Sequence, residues 1–289
     1  MKKIFLLSII ALTGCIETQL EKKEISSDTD EAEISDTNQL PPTVDDGSTG
    51  SIDSVTKRSN VTPVFNALAP ITLDQASGEN LSVMIQASNQ QELNGALHWT
   101  KSFGPDDVVV HSESGLVSWD IPDDMPSESF HIGLNASSQS DVVSFNFVVH
   151  AGVTQVVTVG PEADYTTLKA GLSALNSGGT LLMLDGTYTG EDNYIGRVNS
   201  GNLQHPPSGT ESGYTTIMAK HPGKVTLSDG AMVSLKGLPG QDPVSYAAFK
   251  GLFVIDGQLA AHGYPDDAAT RHHHIKFIRN GAQGGSGKA

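Results

Sequence analysis

Short stretches of alternating apolar and polar residues run through the middle of the chain. Leu81-Ser82-Val83-Met84-Ile85-Gln86-Ala87 shows this alternation, as do Gly115-Leu116-Val117-Ser118-Trp119 and Phe130-His131-Ile132-Gly133-Leu134-Asn135-Ala136. A longer stretch, Val142-Val143-Ser144-Phe145-Asn146-Phe147-Val148-Val149, repeats it. A period of two sends alternate side chains to opposite faces of a strand. Gly104-Pro105-Asp106-Asp107 and Pro122-Asp123-Asp124 break the stretches with turn residues. Short strands at regular spacing over residues 62–151 predict a β-sandwich, with Trp99 and Trp119 in or at the edge of its core.

The texture changes from Val153 onward. Val156-Val157-Thr158-Val159-Gly160 reads as a strand. Thr166 or Thr167 is expected to cap a helix running to about Asn176, with Leu168, Leu172 and Leu175 on one face. Gly178-Gly179 is expected to end that helix. Thr180-Leu181-Leu182-Met183-Leu184 is a nearly continuous apolar strand, closed by Asp185-Gly186-Thr187-Tyr188. Further strands are predicted at Thr215–Ala219, Lys224–Leu227, Ala248-Phe249 with Gly251–Ile255, and His274–Ile278. One helix followed by strands at rung-length intervals predicts a solenoid over residues 153–289. Phe249, Leu252 or Phe253, Ile275 and Phe277 are expected to stack inside it. Three or four rungs fit and no terminal cap is visible, so this half is expected to be the first part of a longer solenoid.

The N-terminal segments read differently. Lys2 and Lys3 precede an apolar run from Ile4 to Leu12, then Leu12-Thr13-Gly14-Cys15. That is the layout of an export signal over residues 1–14, too short in its apolar part for a bilayer span of about 20 residues. Residues 15–61 are polar and acidic, and are expected to form a disordered linker. The formal charge of −16 leaves no basic patch for phosphate backbones, so nucleic acid is excluded as a partner. Cys15 is the only cysteine, so no disulfide can form within the chain.

Three resemblances follow from these residues. Leu12-Thr13-Gly14-Cys15 resembles the lipobox of bacterial lipoproteins. This implies cleavage before Cys15, lipidation of Cys15, and a membrane anchor. Ile16, where inner-membrane retention usually has Asp, implies the outer membrane. The protein is further expected to sit at the cell surface as a monomer. Pro63-Val64-Phe65, Leu81–Ala87, Gly115–Trp119 and Phe145–Val149 resemble the cadherin-like and Ig-like modules of bacterial surface proteins. Calcium-binding members carry clustered Asp after the Ala87 strand, whereas this chain has Ser88-Asn89-Gln90-Gln91-Glu92. Tyr165–Leu172, Gly178–Leu181, Leu184–Tyr188, Ile217–Ala219, Pro222–Val225 and Lys250–Gly257 resemble the start of right-handed parallel β-helix proteins of the pectate-lyase-like superfamily. The expected fold is therefore all-β: a β-sandwich, then a right-handed parallel β-helix with an N-terminal capping helix.

That last resemblance implies β-elimination on an acidic polysaccharide. A Ca²⁺ ion or a cationic side chain would neutralise a uronate carboxylate, and a Lys or Arg would remove the adjacent proton. Candidate bases are Lys276, Arg279, Arg271 and Lys250. Candidate calcium ligands are Asp256, Asp266 and Asp267, with Asp242 and Asp229 behind them. Asp185 and Asp256 each precede Gly and also suit turns. His272 and His274 would share one face of a strand, where His262 could join them as imidazole ligands. No pair among these has a diagnostic spacing. A non-enzymatic adhesin or glycan-binding scaffold, and a β-helix glycoside hydrolase with two flanking carboxylates, remain the alternatives.

Overall fold

The computed structural model describes residues 62–74, 78–93, 96–138, 141–197, 203–237, 242–262 and 271–284. All of them belong to one compact unit. Cys15, the export signal, the acidic linker, Asp266 and Asp267 lie outside the described residues.

The first region comprises β1 (Ile71–Leu73), β2 (Asn80–Met84), β3 (His98–Phe103), β4 (Val109–Val110), β5 (Leu116–Asp120), β6 (Glu128–Ser138) and β7 (Asp141–Ala151). They form two sheets, ordered β1-β7-β6-β3 and β2-β5-β4. The alternation predicted for these strands points their apolar members into a shared core. Leu81, Val83, Val117, Trp119, Ile132, Leu134 and Phe147 are buried together there. Trp99 and Trp119 belong to this core, and Trp119 Nε1 donates to Asp107 Oδ2 at 2.8 Å, satisfying its one polar atom.

The second region begins with β8 (Val156–Val159) and α1 (Leu168–Ala174). Thr167 caps α1, accepting from Ala170 N at 3.3 Å. Leu168, Leu172 and Leu175 all reach the core. Gly171 lies against β8, where an added Cβ would come within 2.5 Å of Val159 Cγ2. The helix stops earlier than expected, at Ala174 with Leu175 extended, and the left-handed Gly178 (φ 74°) shapes the following turn instead.

From there the chain visits three sheets repeatedly in the same order. The first pass is β9 (Thr180–Met183), β10 (Gly186–Thr189) and β11 (Ile195–Arg197), with β12 (Leu203–Gln204) folded back on β11. The second is β13 (Thr215–Ala219), β14 (Val225–Ser228) and β15 (Val233–Lys236). The third is β16 (Ser245–Lys250), β17 (Leu252–Ile255) and β18 (Leu259–His262), followed by β19 (His273–Ile278) and β20 (Gly281–Gln283). The sheets run β8-β9-β13-β16-β19, β10-β14-β17-β20 and β12-β11-β15-β18, and every pairing but β11 with β12 is parallel.

Equivalent residues of successive passes stack. Leu181 pairs with Ile217, Ile217 with Phe249, and Phe249 with Phe277. The Phe249 and Phe277 rings lie 5.4 Å apart at 21°. Leu252 is buried, as expected for one of its pair, while Phe253 is only half-buried. The stretch around Gly251 is a sharp corner: β16 and β17 belong to different sheets, and Gly251 turns between them at φ 72°. The third sheet, with strands two to four residues long, lies outside the strands predicted from the sequence pattern.

The two regions pack against each other through the outer face of the five-stranded sheet. Val148 of β7 meets Leu182 and Met218 in a small apolar cluster. Around it, Ser129 Oγ lies 2.6 Å from Thr180 Oγ1 and 2.7 Å from His150 Nδ1. The junction is itself packed: Ala151 and Val153 are buried, and Gly152 N donates to Leu73 O at 2.9 Å.

Candidate functional site

Strand β6 presents two faces to two neighbours. Ile132, Leu134 and Ala136 enter the sandwich core, while Ser129 and His131 turn to the five-stranded sheet. At the end of this contact lies a cleft of about 430 Å³. Phe103, Gly104, Pro105, Glu128, Phe130 and His131 line it from the sandwich. Lys250, Lys276, Ile278 and Arg279 line it from β16, β19 and the turn after β19.

Glu128 is the only carboxylate in this lining, and it is 4 % exposed. Lys250 Nζ stands 2.6 Å from Glu128 Oε1 and donates to the Ser129 carbonyl at 2.6 Å. The approach to Oε1 is a close charge contact outside hydrogen-bond angles, so Oε1 has no directed donor. Lys276 Nζ donates to Glu128 Oε2 at 2.7 Å. Burial pushes the Lys250 ammonium below the ordinary lysine range; Glu128 opposes that shift and Lys276 adds to it.

The cations also lie on aromatic faces. Lys250 Nζ is 4.7 Å from the Phe130 centroid, Lys276 Nζ 3.7 Å from Tyr214, and Arg279 Cζ 3.6 Å from Phe103. Arg279 holds a left-handed backbone (φ 53°) and has no carboxylate partner among the described residues.

His131 completes the lining. Its Nε2 lies 2.6 Å from the Ala219 carbonyl, which can only accept, so Nε2 carries the proton. Burial, opposed by that bond and helped by Lys250 and Arg279, pulls His131 down to about 4. The neutral ring therefore keeps its lone pair on Nδ1, which has no donor among the described residues.

The fold thus brings together Lys250, Lys276 and Arg279, three of the four candidate bases. Arg271 stands exposed ahead of β19 and is not part of the cleft lining. Asp256 and Asp229 occupy left-handed turn positions (φ 51° and 49°), consistent with the turn reading of Asp-Gly, and Asp242 is exposed. Calcium takes about six to eight oxygen ligands. Among the described residues no group of three His, Cys, Asp or Glu side chains is placed to hold a metal. The described acids Asp229, Asp242 and Asp256 are thus not gathered into one ligand group.

The histidines touch one another, His273 Nδ1 at 2.8 Å from His274 Nδ1 and His205 edge-on to His272 at 5.5 Å, but form no metal-holding group among the described residues. His274 stacks on Tyr246 with centroids 4.4 Å apart, and both residues are left-handed. His272 Nδ1 accepts from Val244 N at 2.9 Å. The neutral ring then carries its proton on Nε2, and a metal bound there would cost the Val244 bond. His262 lies on β18, in register with Lys236.

Glu128, Phe103, Phe130 and His131 escaped the sequence reading as site residues. The one available signal was polar His131 at the centre of an alternating strand, preceded by Glu128 at its start. Outside the cleft, His221 Nδ1 lies 2.9 Å from both Asp185 oxygens, a surface contact of about 0–1 kcal/mol.

No protein-family description matches the chain, and no characterised protein matches it in sequence. Among solved structures, two forms of human protocadherin-24 EC1-2 are similar at 17% and 15% identity. Their TM-scores are 0.25 and 0.27, and each match covers 35% of this chain and 52% of that one. The chain spans about half the length of those structures. A candidate alpha-galactosidase from Bacteroides fragilis is similar at 14% identity and a TM-score of 0.27, over 57% of this chain and 38% of that one. Scores of this size carry no argument about architecture or activity.

Proposed function

We propose that this chain is a lipid-anchored surface protein that takes hold of an acidic polysaccharide. Its scaffold is a cadherin-like or Ig-like sandwich over residues 62–151, joined to the first coils of a right-handed parallel β-helix over residues 153–289. Repeated passage through three parallel sheets in a fixed order, with like residues stacked, supports the β-helix reading. The lipobox-like Leu12-Thr13-Gly14-Cys15 supports export and attachment to an outer membrane.

One observation carries the functional reading. In a chain of formal charge −16, a single cleft gathers three cations against one carboxylate. Lys276 and Arg279 stand at its more open side, beside the apolar walls Phe103, Phe130 and Ile278. Charge-assisted bonds from such groups suit carboxylates, and aromatic walls suit the apolar faces of sugar rings.

Elimination chemistry is the second reading, and the lowered basicity of Lys250 favours it, because a base must be neutral to take a proton. Lys250 would have to leave Glu128 and Ser129 to do so, since its side chain is only 4 % exposed. Binding is therefore the primary reading and the lyase reaction the extension. A hydrolase would need two facing carboxylates, and this cleft lining holds one.

The test is retardation of the full chain in gels containing pectin, alginate or a glycosaminoglycan, against neutral dextran. Absorbance of an unsaturated product is followed in parallel. Retardation by at least one uronate polymer and not by dextran is expected. Equal mobility in all gels, with no product formed, sinks the reading.

A further inference from the structure

The cleft carries two kinds of recognition group on opposite walls. The β-helix-like side supplies cations, and the sandwich side supplies aromatic rings and a neutral imidazole. Arg279 stacks its guanidinium on Phe103, which leaves the N–H edge of the fork for an anion. Lys276 gives one hydrogen bond to Glu128 and is 37 % exposed, so it retains donors for a ligand. His131 is fixed differently. Its bond to the Ala219 carbonyl sets the tautomer, and Nδ1 faces no protein donor among the described residues.

We propose that the cleft is a hydroxy-acid site: Lys276 and Arg279 hold a carboxylate, and His131 Nδ1 accepts from a hydroxyl of the same sugar ring. This rests on the acidic-glycan reading and deepens it. A neutral acceptor suits this position, because a second carboxylate there would repel the ligand's own. The volume of about 430 Å³ falls within the ordinary range for small-ligand pockets and accommodates a sugar residue. Both regions of the chain contribute, so the sandwich is a specificity element and not only a spacer. Gly251 packs closely against His131, since a Cβ there would lie 3.2 Å from His131 Cε1 and 3.0 Å from Pro222 Cα.

The experiment uses the full chain and three probes: oligogalacturonate, its methyl ester, and free galacturonate, each titrated by calorimetry. Lys276→Met and Arg279→Gln should each weaken oligogalacturonate by about tenfold or more, the scale of a hydrogen bond to a charge. They should leave the weaker ester unchanged. His131→Gln keeps a donor toward the Ala219 carbonyl and replaces the ring Nδ1 acceptor by an amide oxygen at a different position. It should weaken acid and ester alike, by about three- to tenfold. Tighter binding of the oligomer than of the monomer identifies a glycan as the source; equal binding identifies the free sugar acid, and either supports the site.

Nitrogen NMR of the unmodified protein guards against a variant that fails to fold. The His131 Nδ1 resonance should shift on saturation with oligogalacturonate. An unmoved Nδ1 overturns the role given to His131. Undiminished affinity in both Lys276→Met and Arg279→Gln overturns the site while the acidic-glycan reading stands. Binding of no uronate polymer at all overturns both.

Discussion

The middle strands of the five-stranded sheet, β9, β13 and the second half of β16, bury both of their faces, by different means. Val157, Val159, Leu181, Met183, Ile217, Ala219, Ala247 and Phe249 fill the interior with apolar side chains stacked pass upon pass. The outer face carries Thr180, Leu182, Thr216, Met218, Ala248 and Lys250, which are just as inaccessible. Part of that face is covered by β6 and β7, and polar groups there find partners in the sandwich: Thr180 with Ser129, the Ala219 carbonyl with His131, Lys250 with Glu128. Burying a polar group is costly unless it is paired. The inner face is thus self-sufficient, whereas the outer face is complete only with the sandwich in place.

The largest effects should come from breaking each face at its centre. Phe249→Ala removes an inner stacking ring and is expected to cost about 3–5 kcal/mol. Glu128→Gln strands two lysines beside a neutral amide and is expected to cost a similar 3–5 kcal/mol, roughly, for an uncompensated buried charge. Chemical denaturation should show both. A loss below about 1 kcal/mol for Glu128→Gln would mean that the outer face is open to water and behaves as a surface.

Lys250→Met sharpens the contrast, because Glu128 keeps its bond from Lys276 while its Oε1 loses a close charge and the Ser129 carbonyl loses a donor. The expected cost is about 1–3 kcal/mol, less than that of Glu128→Gln. The reverse order would assign the pairing energy to Lys250 alone.

Acid should act on the outer face through two buried histidines. His131 and His150 both fall from 6.5 to about 4, mainly through burial. Their folded state binds fewer protons than the unfolded chain. The stability they contribute is therefore complete above pH 6.5 and is lost as pH falls toward about 4. Each contributes a slope of roughly 1.4 kcal/mol per pH unit at most within that window. Denaturant midpoints measured down this range should drop, and His150→Gln should flatten the drop. A midpoint independent of pH across the window contradicts these shifts.

The inner face was legible in the sequence because its determinants are local. Leu168, Leu172 and Leu175 announce the helix, Thr166 or Thr167 its start, and Thr180–Met183 a buried strand. The corner at Gly251 was hidden inside an apolar run that continues through it, and only pairing to different sheets separates β16 from β17. The cleft was illegible for another reason. Lys276 stood out as a cation among apolar residues, but its partner Glu128 is 148 residues away. A strand start with one acid gives no sign of which lysine it will meet. Likewise His131 reads as an outward polar residue of a sandwich strand until a second sheet covers it.

The parallel pairing of the first and last strands of the sandwich has a mechanical consequence. Ile71, Thr72 and Leu73 lie beside Val149, His150 and Ala151, with both strands running the same way. Tension applied at the start of β1 and at the exit of β7 would slide the strands past each other and load the ladder bonds together. It would not peel them one by one. Under the proposed anchoring, force carried from the N-terminal side of the chain through the sandwich into its C-terminal half would meet this shear geometry. Single-molecule extension from the two ends should give a higher rupture force than extension through β3 and β6, whose antiparallel ladder opens like a zipper when pulled across its strands.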